Sequence, residues 1–86
     1  MPPKSKSLSP IQCKIMLFFL ENMGSIDTPR GVATWTEENL KNVREALEEL
    51  VSQGYLKAHR TSSTVGYSCE LAGKKLNSVR LLLNKK

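Results

Sequence analysis

Apolar residues recur along this chain at two different periods, and the change from one to the other divides it into elements. Val43, Leu47, Leu50 and Val51 fall at helical spacing on one face of the stretch VREALEELV. Gly54 then stands where a helix needs a left-handed terminator. Beyond it Leu56 and Ala58 alternate with Lys57 and His59, which is the period of a strand. The pattern predicts a strand over 55–60, a turn over 61–64, and a return strand over 65–69 with Val65, Tyr67 and Cys69 facing inward. Pairing about that turn sets Ala58 opposite Tyr67 and Leu56 opposite Cys69, leaving Lys57 and His59 on the other face.

Upstream, Leu8, Ser9, Pro10 and Gln12 spell a helix start: Ser9 as N-cap, Pro10 at the first position, and Gln12 where a capping box wants Glu or Gln. This first helix should stop near Met23 at Gly24, and its apolar residues, Ile11, Ile15 to Leu20 and Met23, surround most of its circumference. It is therefore expected at the centre, buried on more than one side. Thr28 before Pro29 predicts a short second helix over 29–34, and Ile26 is a candidate for a very short strand against the hairpin. Thr36, after Trp35, is expected to cap the third helix with Glu37 and Glu38 in its first turn, where the macrodipole favours negative charge. A last helix turns Leu76, Val79, Leu82 and Leu83 inward and Lys74, Lys75 and Arg80 to water. The fold expected is α+β: a three-helix core, a short β-hairpin wing and a C-terminal helix in a single domain over 9–86, behind a flexible basic arm over 1–8.

Three fragments in this order of elements resemble the winged helix-turn-helix transcriptional regulators, loosely the MarR and PadR types. Val32-Ala33 precedes Val43 at the interval those proteins use between the second helix and the recognition helix. ALEELVSQGYL is similar to their recognition-helix end and first wing strand. YSCELAGKKL is similar to their second wing strand and last-helix entry, with Tyr67, Gly73 and Leu76 in register and Glu70 where a capping Thr is frequent. The resemblance implies DNA binding through the third helix and the wing. In one departure, Glu37 stands near the place of the usual glycine between the second and third helices.

Composition sharpens this. The 13 lysines and arginines against 8 aspartates and glutamates among 86 residues give a formal charge of +5, which favours an anionic partner. Over 37–52, however, Lys41 and Arg44 face five glutamates, a net −3, so the rest of the chain carries +8. A helix so acidic cannot lie flat along phosphates, and only its front half is a plausible reader. There Asn39, Lys41, Asn42 and Arg44 can meet base edges. Lys57, His59 and Arg60 lead into Ser62, Ser63 and Thr64, a basic hairpin with small polar tips suited to the backbone. Arg30 is a candidate phosphate anchor, and Lys4 and Lys6 candidates for a minor groove.

No catalytic residues, cofactor or metal site is expected, since His59 is the one histidine and Cys13 and Cys69 lack ligand spacing. The two cysteines read as free buried thiols. A core this small spares no volume for a small-molecule substrate. The apolar run 15–20 is too short to cross a bilayer, so a cytoplasmic, nucleoid-associated protein is expected. The partner expected is double-stranded DNA, bound by a homodimer joined through Leu76, Val79, Leu82 and Leu83 of the last helix together with helix one. Two rivals remain: a protein-docking module using the acidic third helix, and structured-RNA binding.

Overall fold

A computed structural model describes residues 8–84. The elements run α1 (Pro10–Glu21), α2 (Pro29–Thr36), α3 (Leu40–Ser52), β1 (Lys57–Arg60), β2 (Val65–Ser68) and α4 (Gly73–Asn84), in the order expected. Of the predicted arm, 1–7 lies outside the described residues, while Leu8 packs half-buried against the core.

Helix α1 starts as its sequence dictates. Ser9 Oγ accepts from the Gln12 amide at 3.2 Å and Gln12 Oε1 accepts from the Ser9 amide at 3.0 Å, closing the capping box. Ile15, Met16 and Phe19 are wholly buried, and Phe18 meets Phe19 edge to face with ring centroids 5.1 Å apart. Leu17 stays 49% exposed, so one strip of the helix remains outside the core. The helix ends at Glu21, two residues short of Met23, because Asn22 leaves helical geometry and caps it.

The boundary between α2 and α3 differs from expectation. Thr36 does not cap α3: it is buried in the last turn of α2, with Oγ1 donating to the Val32 carbonyl at 2.8 Å. Glu37 then takes a left-handed conformation at φ 60, and the Glu38 amide returns to the Ala33 carbonyl at 3.1 Å. Asn39 caps α3, its side-chain oxygen accepting from the Lys41 and Asn42 amides at 2.8 and 3.4 Å. Glu37 and Glu38 thus fall outside α3. That helix holds Lys41 and Arg44 against Glu45, Glu48 and Glu49, a net −1.

Glu37 sits at φ 60, a conformation that glycine takes freely, and a side chain there is strained by about 1 kcal/mol. Glu37→Gly should raise stability by roughly 0.5 kcal/mol after the added unfolded-state entropy, moving the thermal midpoint up by about 2–4 °C. A fall in midpoint would mean that the carboxylate makes a stabilising contact.

The hairpin register is the one expected, with Ala58 facing Tyr67 and Arg60 facing Val65, but β1 begins at Lys57 and β2 ends at Ser68, so the expected Leu56–Cys69 pair falls outside the ladder. Gly54 ends α3 at φ 87, as its position foretold. The third strand-like contact falls one residue beyond Ile26: Asp27 and Tyr67 exchange backbone hydrogen bonds of 2.9 and 2.8 Å. Gly66 permits it, because a Cβ at that site would run into Ile26 Cγ2.

On α4, Val79 is fully buried in this chain's own core, so it is not available as a dimer contact; its helix has no other residue placed deep enough to close that end of the core. Leu76, Leu82 and Leu83 are half-buried, and Leu81 is 69% exposed. Both cysteines are free thiols, Cys69 buried and Cys13 half-buried. No helix among the described residues is long and apolar enough to cross a membrane.

Candidate nucleic-acid interface

Three elements meet around a cleft of about 570 Å³: the start of α2, the middle of α3, and the wing. Thr28 and Pro29 open α2 there, with Thr28 Oγ1 accepting from the Gly31 amide at 3.2 Å, and Arg30 follows in the first turn. Arg44 and Glu48, one helical turn apart, project from α3. Arg60, Ser63 and Thr64 reach in from the wing, and Tyr67 closes the floor. Three guanidinium groups thus share one concavity.

Glu48 organises that floor. The buried Tyr67 hydroxyl donates to Glu48 Oε2, and Arg60 Nη2 donates to both carboxylate oxygens at 3.2 and 3.1 Å. Glu48 therefore pairs with Arg60 across the fold rather than with Arg44 on its own helix. Arg30 and Arg44 have no ion-pair partner among the described residues. The Tyr67 hydroxyl bond, assisted by Arg60, holds the Glu48 carboxyl below its ordinary range against an opposing effect of burial. Burial first, and then the Glu48 carboxylate, push the Tyr67 phenol up to about 12.

Because the raised phenol favours the protonated native state, its contribution is complete below pH 10 and is lost as pH rises from about 10 to about 12. The loss expected is roughly 2–3 kcal/mol. Urea unfolding from pH 8 to 12 should show this decline in the wild type and a shallower one in Tyr67→Phe; parallel profiles would refute it.

The wing divides by strand alternation. Arg60 shares the inward face with Ala58 and so meets α3, whereas Lys57 and His59 point the other way, toward Glu70. Ser68 Oγ donates to Glu70 Oε2 at 3.1 Å and lies 2.7 Å from His59 Nε2, while Lys57 Nζ lies 3.9 Å from Glu70 Oε1. The predicted grouping of Lys57, His59 and Arg60 is thus split, and the first two lie outside the cleft with a carboxylate beside them. At the tip, Thr61 Oγ1 accepts from the Ser63 and Thr64 amides at 3.4 and 3.1 Å, fixing the turn. Ser62, Ser63 and Thr64 are left exposed.

Of the eleven positions predicted to bind DNA, the cleft gathers Arg30, Arg44, Arg60, Ser63 and Thr64. Lys41 and Asn42 are exposed on the first turn of α3, and Asn39 is committed through its oxygen to the cap. Tyr67 and Glu48 lie outside the predicted site; Tyr67 is legible as an inward strand residue, and Glu48 as a carboxylate at helical spacing to pair with Arg44, a pairing the structure replaces with Arg60. Of the five glutamates of the expected docking stretch, three are engaged within the fold: Glu38, before α3, pairs with Lys14 at 2.6 Å, Glu49 accepts from Gln12 Nε2 at 2.7 Å, and Glu48 holds Arg60. Among the described residues no group of three His, Cys, Asp or Glu could hold a metal ion.

No protein-family model and no curated protein matches the chain. Solved structures do match its fold. One, described as a possible transcriptional regulator from Methanosarcina mazei, superposes with a TM-score of 0.71 at 11% identity over 88% of this chain and 68% of its own. A homodimeric winged helix-turn-helix DNA-binding domain from Mycobacterium bovis, of a possible ArsR-family regulator, gives 0.63 at 23% identity over 86% of this chain and 62% of its own. A cysteine-to-serine mutant of ZitR from Lactococcus lactis, in complex with DNA, gives 0.66 at 20% identity over 93% of this chain and 53% of its own. This chain therefore spans only about half of the ZitR structure, and at these identities the likeness is one of fold.

Proposed function

We propose that this chain, a winged helix by its fold, binds double-stranded DNA without catalysis, as a small transcriptional regulator or a plasmid, viral or chromatin-associated factor. The convergence of Arg30, Arg44 and Arg60 on one concave cleft beside the exposed front of α3 carries the reading. A duplex backbone seated there meets cations from α2 and α3 and the amino-terminal end of α2, which favours anions. Ser62, Ser63 and Thr64 extend the contact along the strand. Lys41 and Asn42 then stand at the end of α3 that enters a major groove, where Asn suits adenine and Lys suits guanine.

The protein-docking rival rests on a −3 charge over 37–52, and that support weakens with α3 itself at −1 and two of its three carboxylates, Glu48 and Glu49, engaged within the fold. Structured RNA remains the competitor, distinguished by shape and the 2′-hydroxyl. Fluorescence anisotropy on a mixed-sequence duplex at low salt tests the proposal: binding should weaken steeply as salt rises, and folded RNA should compete less well than duplex. No binding at 50 mM salt, a condition on the order of the low end of the usual range, refutes it.

A two-fold pair fits the same function. Exposed Leu81 and half-buried Leu82 on α4, with Tyr55, line a shallow apolar cleft, and Leu17 leaves a strip of α1 uncovered. Light scattering should report a dimer in solution; a monomer at all concentrations removes this part of the reading. The setting expected is the cytoplasm, at the nucleoid.

A further inference from the structure

We propose that Glu48 is the cleft's built-in counter-anion: its carboxylate occupies, in the free protein, the position against Arg60 that a phosphate takes in the complex, and so limits how tightly the site holds a polyanion. The ligand class rests on the DNA-binding reading above.

The geometry is that of an anion site already filled. A single Arg60 nitrogen, Nη2, donates to both Glu48 oxygens at 3.2 and 3.1 Å, so the guanidinium charge that a phosphate would seek is already met by a carboxylate. Glu48 is held in place by the Tyr67 hydroxyl, whose ring is buried and whose backbone is tied to Asp27 at 2.9 and 2.8 Å, so the carboxylate is an anchored part of the cleft wall. It is the one carboxylate lining this cleft, against Arg30, Arg44 and Arg60. Its neighbour Glu49 is turned to Gln12 instead.

The pair is also easily exchanged. Both side chains are at least half exposed, at 59% for Arg60 and 50% for Glu48, and pairs so open to water hold weakly. A phosphate can therefore take Arg60, but the exchange leaves an anchored carboxylate beside the ligand, and the net gain in neutralised charge is close to nothing. Arg30 and Arg44, unpaired among the described residues, supply the cleft's salt-dependent affinity. Arg60 ties the wing to α3 in the free protein and, once it turns to a phosphate, its charge is offset by the Glu48 carboxylate left beside it.

The test is a charge cycle on the whole chain. Wild type, Glu48→Gln, Arg60→Ala and the double variant are titrated against a labelled mixed-sequence duplex across a range of salt, after circular dichroism confirms folding; Gln retains an acceptor for Tyr67. Glu48→Gln should tighten binding roughly tenfold at low salt and steepen the dependence of log affinity on log salt by about one. Both gains should vanish in the double variant, whose cleft carries the wild-type net charge, and Arg60→Ala alone, which leaves Glu48 without its partner, should weaken binding and flatten the slope by about one. An unchanged slope in Glu48→Gln, or a double variant that binds more tightly than wild type, overturns the proposal.

Inorganic tripolyphosphate, followed by its effect on the thermal midpoint, reads the same cleft without nucleic acid. Glu48→Gln should bind it more tightly than wild type, and only with Arg60 present. Equal affinity there overturns the proposal on its own. Failure of every variant to bind duplex, with the tripolyphosphate difference intact, refutes the DNA reading and leaves the role of Glu48 standing.

Discussion

Replacing Arg30 and Arg44 together with alanine is expected to lower affinity for every duplex by about two orders of magnitude at low salt, and to flatten the salt dependence by about two. The two guanidinium groups come from different helices but line one cleft, and neither has an ion-pair partner among the described residues. Each is therefore free to neutralise a phosphate and release the counterion condensed there. The loss should be uniform across sequences, since phosphate contacts position a protein without reading bases. Asn42→Ala, in the exposed first turn of α3, should instead change preference among sequences with little effect on slope. Anisotropy titrations at several salt concentrations separate the two behaviours. A double variant that keeps the wild-type slope would remove the cleft from the interface.

The second large effect is on folding. Phe19→Ala should cost about 3–5 kcal/mol, because Phe19, in the last turn of α1, is wholly buried and its removal leaves a void that the helices cannot fully close. A domain of 86 residues has a total stability of roughly 4–13 kcal/mol, so the variant is expected to be largely unfolded or near its limit at 37 °C. Trp35 provides the contrast. It touches Phe18 with ring centroids 4.9 Å apart but is 58% exposed, and Trp35→Ala should cost far less. Urea midpoints for the two variants decide the matter: similar values would contradict the packing of α1.

Much of the architecture was legible because its determinants are short in range. The Ser9 and Gln12 capping box, the Thr28-Pro29 start of α2, the Gly54 stop and the Ala58–Tyr67 pairing each depend on residues a few positions apart or on strict alternation across a tight turn. The α2–α3 junction was misplaced because Thr36 and Asn39 are both good caps, and local preference does not choose between them. Burial chose: Thr36 is drawn into the core as the last turn of α2, and Glu37 accepts a left-handed backbone.

The cleft shows the same division. Arg30, Arg44, Arg60, Ser63 and Thr64 could each be named as polar or basic residues near the expected reading elements, yet nothing in the sequence sets Glu48 against Arg60 twelve positions away, or Glu49 against Gln12 thirty-seven away. Helical and strand periodicities, charge and the caps of α1 and α2 were fixed by the order of residues alone, since each is a property of neighbours along the chain. Which cations remain free and which carboxylates hold them was decided only when α2, α3 and the wing packed together, because electrostatic pairing depends on distance through space.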